Sequence, residues 1–364
     1  FWAFIFSIFR YNKERKKKKE RKEKMLELKI EKNFAHISLD RPNKLNALNR
    51  DLIEAIDQCM DQVLENDRVK AVYLDSTSPR AFCAGGDVVD IYKKVQATGE
   101  DPIPYFEREF RLDKKMAKFP KPILVAYRGI AMGGGLGLSM DCPIRIADES
   151  TRMAMPEARL GMVPDVGMGY FFSKMDRAMA LYMSLTGSQI NGRDALDLGW
   201  ASHTISSNSW ENFEGDLFDL DLEGLSREEV LRKIQDLLGD YQKDLVPLHS
   251  PQDLEKIQDL FGAKTLKEIM ERVKDRDGDL YQDLEEASLL SLALIYLKYD
   301  YGKYWTREET LDMDLRVIDY CFKEGDMMEG IRTVMVDKED QPSFKYQDLE
   351  DLPWEDLHRL LGGK

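Results

Sequence analysis

Apolar and polar residues alternate from Leu26 to Ile30 and again from Phe34 to Leu39, on either side of Lys32-Asn33. A period of two with a short polar break predicts a β-hairpin. The period then changes. Leu52, Ile53, Ile56, Met60 and Val63 share one face of a helix predicted over residues 50–65. Val69–Leu74, Ile123–Tyr127 and Ile144–Ala147 are short, unbroken apolar runs and read as buried strands. Residues 104–119 read as a helix bearing Glu107 and Glu109. Strands alternating with helices predict an α/β core with parallel pairing. Beyond Gly169 the helical period takes over, at residues 178–185, 192–198, 227–241, 266–273, 280–299 and 306–322. Residues 206–224, rich in Asp and Ser, read as a loop or linker, and 338–364 as a polar tail anchored by Trp354 and Leu360. The expected division is a leader over 1–24, an α/β core over 25–205 and a mainly helical C-terminal region over 206–364.

Charge sharpens this division. The chain has 364 residues, 43% of them hydrophobic, and a net charge of −14. The first 24 residues carry a net +7 against −21 for the remainder. An acidic body excludes nucleic acid as the expected partner. The leader begins with nine mostly aromatic residues, too few to span a bilayer, and its basic run follows them, unlike a secretory signal. It reads as a disordered or non-native leader, with the working protein starting at Met25 and no membrane expected. The four cysteines show no CxxC or Cys/His spacing, which points to reduced thiols in a cytoplasmic setting, or a mitochondrial one in a eukaryote. The four histidines are scattered, so neither a Ser–His–Asp mechanism nor a metal site is expected.

Candidate chemistry gathers between Lys121 and Tyr170. Gly133-Gly134-Gly135 follows a strand and precedes a helix-competent segment, and Ala84-Gly85-Gly86-Asp87 repeats the theme earlier. Glycines in such a turn let backbone N–H groups approach an oxyanion or carbonyl oxygen. No Gly-Lys-Ser/Thr follows, so this is not a phosphate loop. Glu157, in Met155-Pro156-Glu157, and Asp165, in Val163-Pro164-Asp165-Val166-Gly167, both sit amid apolar residues. Desolvation raises the pKa of such an acid and suits it to proton transfer near neutrality. A ligand-free turn and two capping acids are the bland alternative.

With these motifs in order, the chain resembles the crotonase (enoyl-CoA hydratase/isomerase) superfamily, from about Leu26 to His203. The resemblance implies a spiral of ββα units with a helical C-terminal region, an acyl-CoA substrate, and an oxyanion hole built from the N–H groups of Gly86 and Gly134. Hydratases of the family carry a first catalytic Glu where this chain has Gly137, and glycine where it has Asp165. The pattern MPE…GxxPDVG, Glu109 in the preceding helix, and Glu329-Gly330-Ile331-Arg332 with Val336-Asp337-Lys338 are similar to the 3-hydroxyisobutyryl-CoA hydrolase branch. Met168, the pair Tyr127-Arg128 and the helical region around 280–297 depart from that branch and leave the acyl group open. The implied chemistry is hydrolysis of a short 3-hydroxyacyl-CoA, as in valine catabolism. Glu157 would be nucleophile or general base, Asp165 would orient water or the acyl hydroxyl, and Glu109 would bind that hydroxyl. Arg41 and Lys44 are candidates for the CoA phosphates. No metal and no cofactor beyond the substrate's own CoA are expected, and assembly into a homo-oligomer is compatible with the pattern. A hydratase or isomerase of the same fold, or a non-catalytic CoA-binding protein, are the alternatives.

Overall fold

The computed structural model describes residues 25–338 and 341–362, so the basic leader lies outside the described residues. The hairpin forms as expected: β1 (Leu26–Glu31) and β2 (Phe34–Leu39) pair antiparallel around Lys32, whose φ is 50°. The Arg50–Glu65 helix follows, its Asn49 side chain accepting from the Leu52 N–H. The chain then repeats one unit. β3 (Ala71–Ser76) and β4 (Ala81–Cys83) lead into helices Val88–Thr98 and Ile103–Ala117. β5 (Ile123–Tyr127) and β6 (Ile130–Met132) lead into the short helix Gly134–Gly137. β7 (Ile144–Ala147) and β8 (Arg152–Ala154) lead into the Glu157–Leu160 3-10 turn, and β9 (Ile190–Asn191) and β10 (His203–Thr204) complete the set.

The first strands of the three central units, β3, β5 and β7, join one sheet, ordered β1-β2-β3-β5-β7-β10, and their second strands, β4, β6 and β8, join another, ordered β4-β6-β8-β9. Pairing is parallel from β2 through β10 and from β4 through β8. This is a spiral of ββα units. Its geometry sets both glycine turns at the ends of the adjacent parallel strands β4 and β6.

Every residue of β3 and β5 is buried, because helices and a second sheet cover both faces of the larger sheet. Val72, Leu74, Val125 and Tyr127 enter the main core, while Tyr73, Leu124 and Ala126 enter a second core on the opposite face. That second core corrects one expectation. Residues 206–224 are not a linker: Trp210–Asp219 is a helix that buries Trp210, Phe213 and Leu217 against the sheet. Spaced at 3 and 4 residues, these three make a complete apolar face in a segment whose acidic composition hides it. The Tyr73 hydroxyl donates to Glu214 at 2.7 Å, Arg128 pairs with Glu214 and lies 4.5 Å over the Trp210 ring, and Trp210 Nε1 donates to Asp148 at 2.6 Å.

The C-terminal region shares the main core, which runs from Ala35 to Leu361. The helix expected over 280–299 is two, Gly278–Glu285 and Leu289–Gly302, divided where Ser288 caps the second. Helices Val88–Thr98 and Pro251–Phe261 go beyond the sequence expectation. The tail ends in helix Trp354–Leu361, anchored by the buried Leu357 and Leu361 more than by Leu360. Among the described residues no helix is long and apolar enough to cross a membrane.

Phe213→Ala empties a fully buried site in the second core. It is expected to cost about 3–5 kcal/mol of stability, read as a lower denaturant midpoint, with turnover per folded molecule unchanged.

Candidate active site

The two glycine turns touch. A β-carbon at Gly85, whose φ is 103°, would lie 3.3 Å from the Met132 carbonyl and 3.6 Å from the Gly134 nitrogen. Such an approach is open only to glycine. The Leu48 N–H donates to Gly85 O at 2.8 Å and the Asp87 N–H to Leu48 O at 2.8 Å, so the parallel bridge between Leu48 and Gly86 uses neither of Gly86's own groups. Gly134 is the first residue of its helix, where an N–H has no intrahelical acceptor. Both candidate donors therefore sit beside the point of contact of the turns.

Carboxyl groups surround that point. A β-carbon on Gly134 would overlap Glu109 Oε1, and one on Gly133 would lie 3.0 Å from Glu157 Oε1. Glu157 and Asp165 are buried, as expected, and Glu109 is buried with them. A fourth acid joins them. Asp113 lies one turn beyond Glu109 on helix Ile103–Ala117 and is also buried, its Oδ2 filling the space where a Gly137 β-carbon would sit, 2.8 Å away. Val166 Cβ crowds the same point at 2.5 Å, so position 137 has no room for a side chain. Glu109 Oε1, both Asp113 oxygens and Glu157 Oε2 have no hydrogen-bond partner among the described residues.

Burial is the largest cause of the perturbed acidities. It pushes the Glu109 and Asp113 carboxyls well above the ordinary range, helped by the charge of Asp165 on each and opposed at Asp113 by Arg307. It raises Glu157 likewise, with Asp165 adding to the effect and Lys298 opposing it. Asp165 is pushed up to about 7, burial acting first, then Asp314, against the pull of Lys298.

The loop carrying Asp165 is strained and clamped. Val166 has φ 46° and Gly167 φ 70°; a β-branched residue in the left-handed region is a genuine outlier. Two C-terminal helices hold it. From Leu289–Gly302, Lys298 donates to the Pro164 carbonyl at 2.5 Å and pairs with Asp314. From Arg307–Lys323, Asp314 accepts from the Gly167 N–H at 2.7 Å, and Arg307 donates to Val166 O at 2.7 Å and to Asp141 at 2.8 Å. The Glu157 turn is held from the same side: Ser288 donates its N–H to Ala158 O at 3.1 Å and its hydroxyl to Asp326 at 2.6 Å. Glu329 and Arg332 pair at 2.9 Å, and a β-carbon on the adjacent Gly330 would overlap the Leu160 carbonyl, so this motif buttresses the Glu157 turn.

The structure thus brings Glu109, Glu157, Asp165 and Gly134 together, with Gly86 on the touching turn. Of the two loop cations, Arg41 pairs its guanidinium with Asp87 at 2.8 Å and the Ala47 carbonyl at 2.8 Å and braces the 41–48 loop, while Lys44 stays exposed. Asp113, Lys298, Arg307 and Asp314 were missed. Signals existed: Asp113 repeats Glu109 at i+4, Lys298 ends an apolar run, and Asp314 lies on the apolar face of its helix.

A family model described as Enoyl-CoA hydratase/isomerase matches residues 34–361. The chain is 33% identical over 329 residues to the 3-hydroxyisobutyryl-CoA hydrolase, mitochondrial, of Xenopus laevis, covering 87% of this chain and 83% of that one. It is 32% identical over 319 residues to the Danio rerio protein of the same name, covering 85% and 82%. Among solved structures, an enoyl-CoA hydratase from Rhodobacter sphaeroides 2.4.1 superposes with a TM-score of 0.80 at 28% identity, over 93% of this chain and 97% of that one.

An acid whose pKa is higher folded than unfolded stabilises fully below its unfolded value, and that contribution is lost as pH rises through the folded one. For Asp165 the window runs from about 4, the ordinary aspartate value, to about 7. The melting temperature of Asp165→Asn minus that of the parent should therefore grow across this window and level off above it. A difference independent of pH contradicts the assigned burial.

Proposed function

The chain belongs to the enoyl-CoA hydratase/isomerase family, and we propose that within it this protein is a hydrolase of short-chain 3-hydroxyacyl-CoA thioesters, 3-hydroxyisobutyryl-CoA first among them. One observation carries the reading: Glu157 is buried beside the touching glycine turns with the buried Asp165 close enough for its charge to act on it, while position 137 has no space for a carboxylate side chain. The names of the Xenopus and Danio relatives support the acyl group. Unpartnered Glu109 Oε1 supports it too, as an acceptor for an acyl hydroxyl.

The thioester carbonyl oxygen would sit between the N–H groups of Gly86 and Gly134, where negative charge develops on attack. Losing one such donor costs about 3–4 kcal/mol of barrier. Glu157 either attacks the carbonyl carbon, expelling CoA thiolate and leaving a mixed anhydride for water to open, or removes a proton from the attacking water. Asp165 orients that water or the acyl hydroxyl. Both routes consume one water and release the acid and CoASH. The reading calls on no metal and no cofactor beyond the CoA of the substrate, and Arg41 and Lys44 are the loop cations for a CoA phosphate. It places the enzyme in a reducing compartment, cytoplasmic or mitochondrial, where the buried thiols of Cys59, Cys83, Cys142 and Cys321 stay free.

A thiol assay over a panel of acyl-CoAs tests this. CoASH should appear from 3-hydroxyisobutyryl-CoA faster than from its unhydroxylated analogue, and Glu157→Gln should lower turnover by roughly 10²–10⁴-fold with the fold intact by circular dichroism. Loss of enoyl absorbance without CoASH release would instead identify a hydratase, and wild-type turnover in Glu157→Gln would sink the mechanism.

A further inference from the structure

Buried cations are scarce around the four acids. Arg307 is committed to Asp141 and the Val166 carbonyl. Lys298 is different, for it is buried almost completely and its charge acts on both Glu157 and Asp165. Its Nζ reaches the Pro164 carbonyl, the residue immediately before Asp165, and is anchored on the fully buried Asp314. Asp314 in turn accepts from the Gly167 N–H, two residues after Asp165. Lys298 and Asp314 therefore grip the strained turn from both sides of the residue it presents.

We propose that Lys298 is a positioning residue of the hydrolytic reaction: anchored on Asp314, it fixes the turn that presents Asp165 and sets a positive charge beside the acids Glu157 and Asp165. The proposal rests on the thioester-hydrolase reading. The charges around Asp165 come from several elements, and Asp141 adds to the negative field at Asp113. Glu109 and Asp113 on helix Ile103–Ala117, Glu157 on its 3-10 turn, and Asp314 on Arg307–Lys323 all disfavour further negative charge. Tyr105 and Cys321 sense Asp165 as well, but burial keeps both protonated. Against these stand Lys298, and Arg307 at Asp113. Removing Lys298 takes away the positive charge that acts on both acids, so Glu157 and Asp165 would hold their protons to higher pH. A bystander lysine that only fills space could be replaced without that effect.

The experiment compares the parent with Lys298→Met, Lys298→Gln and Lys298→Arg, measuring kcat/KM for CoASH release against pH together with thermal melts. An opposite charge nearby typically shifts a carboxyl by about 1–3 pH units, so Lys298→Met should move the acid-side midpoint up by about one unit or more. Lys298→Arg should return it towards the parent value. Lys298→Gln keeps a donor for Pro164 but no charge, and it should show the raised midpoint even if Lys298→Met fails to fold. An unchanged midpoint in folded Lys298→Gln, whatever its melting temperature, overturns the proposal. Carbon-13 titration of the Asp and Glu carboxyls in parent and Lys298→Gln, with Asp165→Asn and Glu157→Gln to assign the signals, reads the same shift without turnover. Absence of CoASH release from every thioester would refute the hydrolase reading, and titration curves that coincide would separately refute the role of Lys298.

Discussion

Burying Glu109, Asp113, Glu157 and Asp165 in one place is the constraint on which the rest of the structure depends. Each carboxylate taken out of water loses several kcal/mol of hydration even after the protein relaxes, and four together repel one another. The chain meets this in two ways. The acids hold their protons more tightly than usual, as their raised pKa values show. Helices far along the sequence bring in Lys298 and Arg307, each already balanced by its own acid, Asp314 or Asp141.

That requirement explains the architecture of the C-terminal region. It shares one hydrophobic core with the spiral of ββα units, and its polar side chains converge on the Glu157 turn and the Asp165 loop. A positive φ at Val166 costs on the order of 1–3 kcal/mol and persists only where neighbours enforce it. Here Lys298, Arg307 and Asp314 hold the backbone on both sides of Asp165. The spiral supplies the glycine turns, and the helices beyond it set how an acid faces them. The extent of the family match, to residue 361, accords with this dependence.

The spiral was legible because its strands are unbroken apolar runs and its glycines stand where only glycine permits two turns to touch. Glu109, Glu157 and Asp165 were legible as acids in apolar or motif surroundings. The helix at Trp210–Asp219 was hidden because three apolar residues amid acids look like a solvated segment until a second core claims them. Lys298 and Asp314 were hidden for a different reason. Their meaning lies in what they touch more than 130 positions away, at Pro164 and Gly167, and no local periodicity encodes that.

The central claim is that a thioester carbonyl binds between the N–H groups of Gly86 and Gly134 with Glu157 and Asp165 at its acyl side. It is tested most directly by a crystal structure with a CoA ketone in which a methylene group replaces the thioester sulfur. The account predicts the ketone oxygen at about 2.7–3.1 Å from both nitrogens, with the Glu157 and Asp165 carboxyls facing the acyl group. A ketone oxygen bound away from both N–H groups, or an acyl group lying outside the four acids, would contradict it.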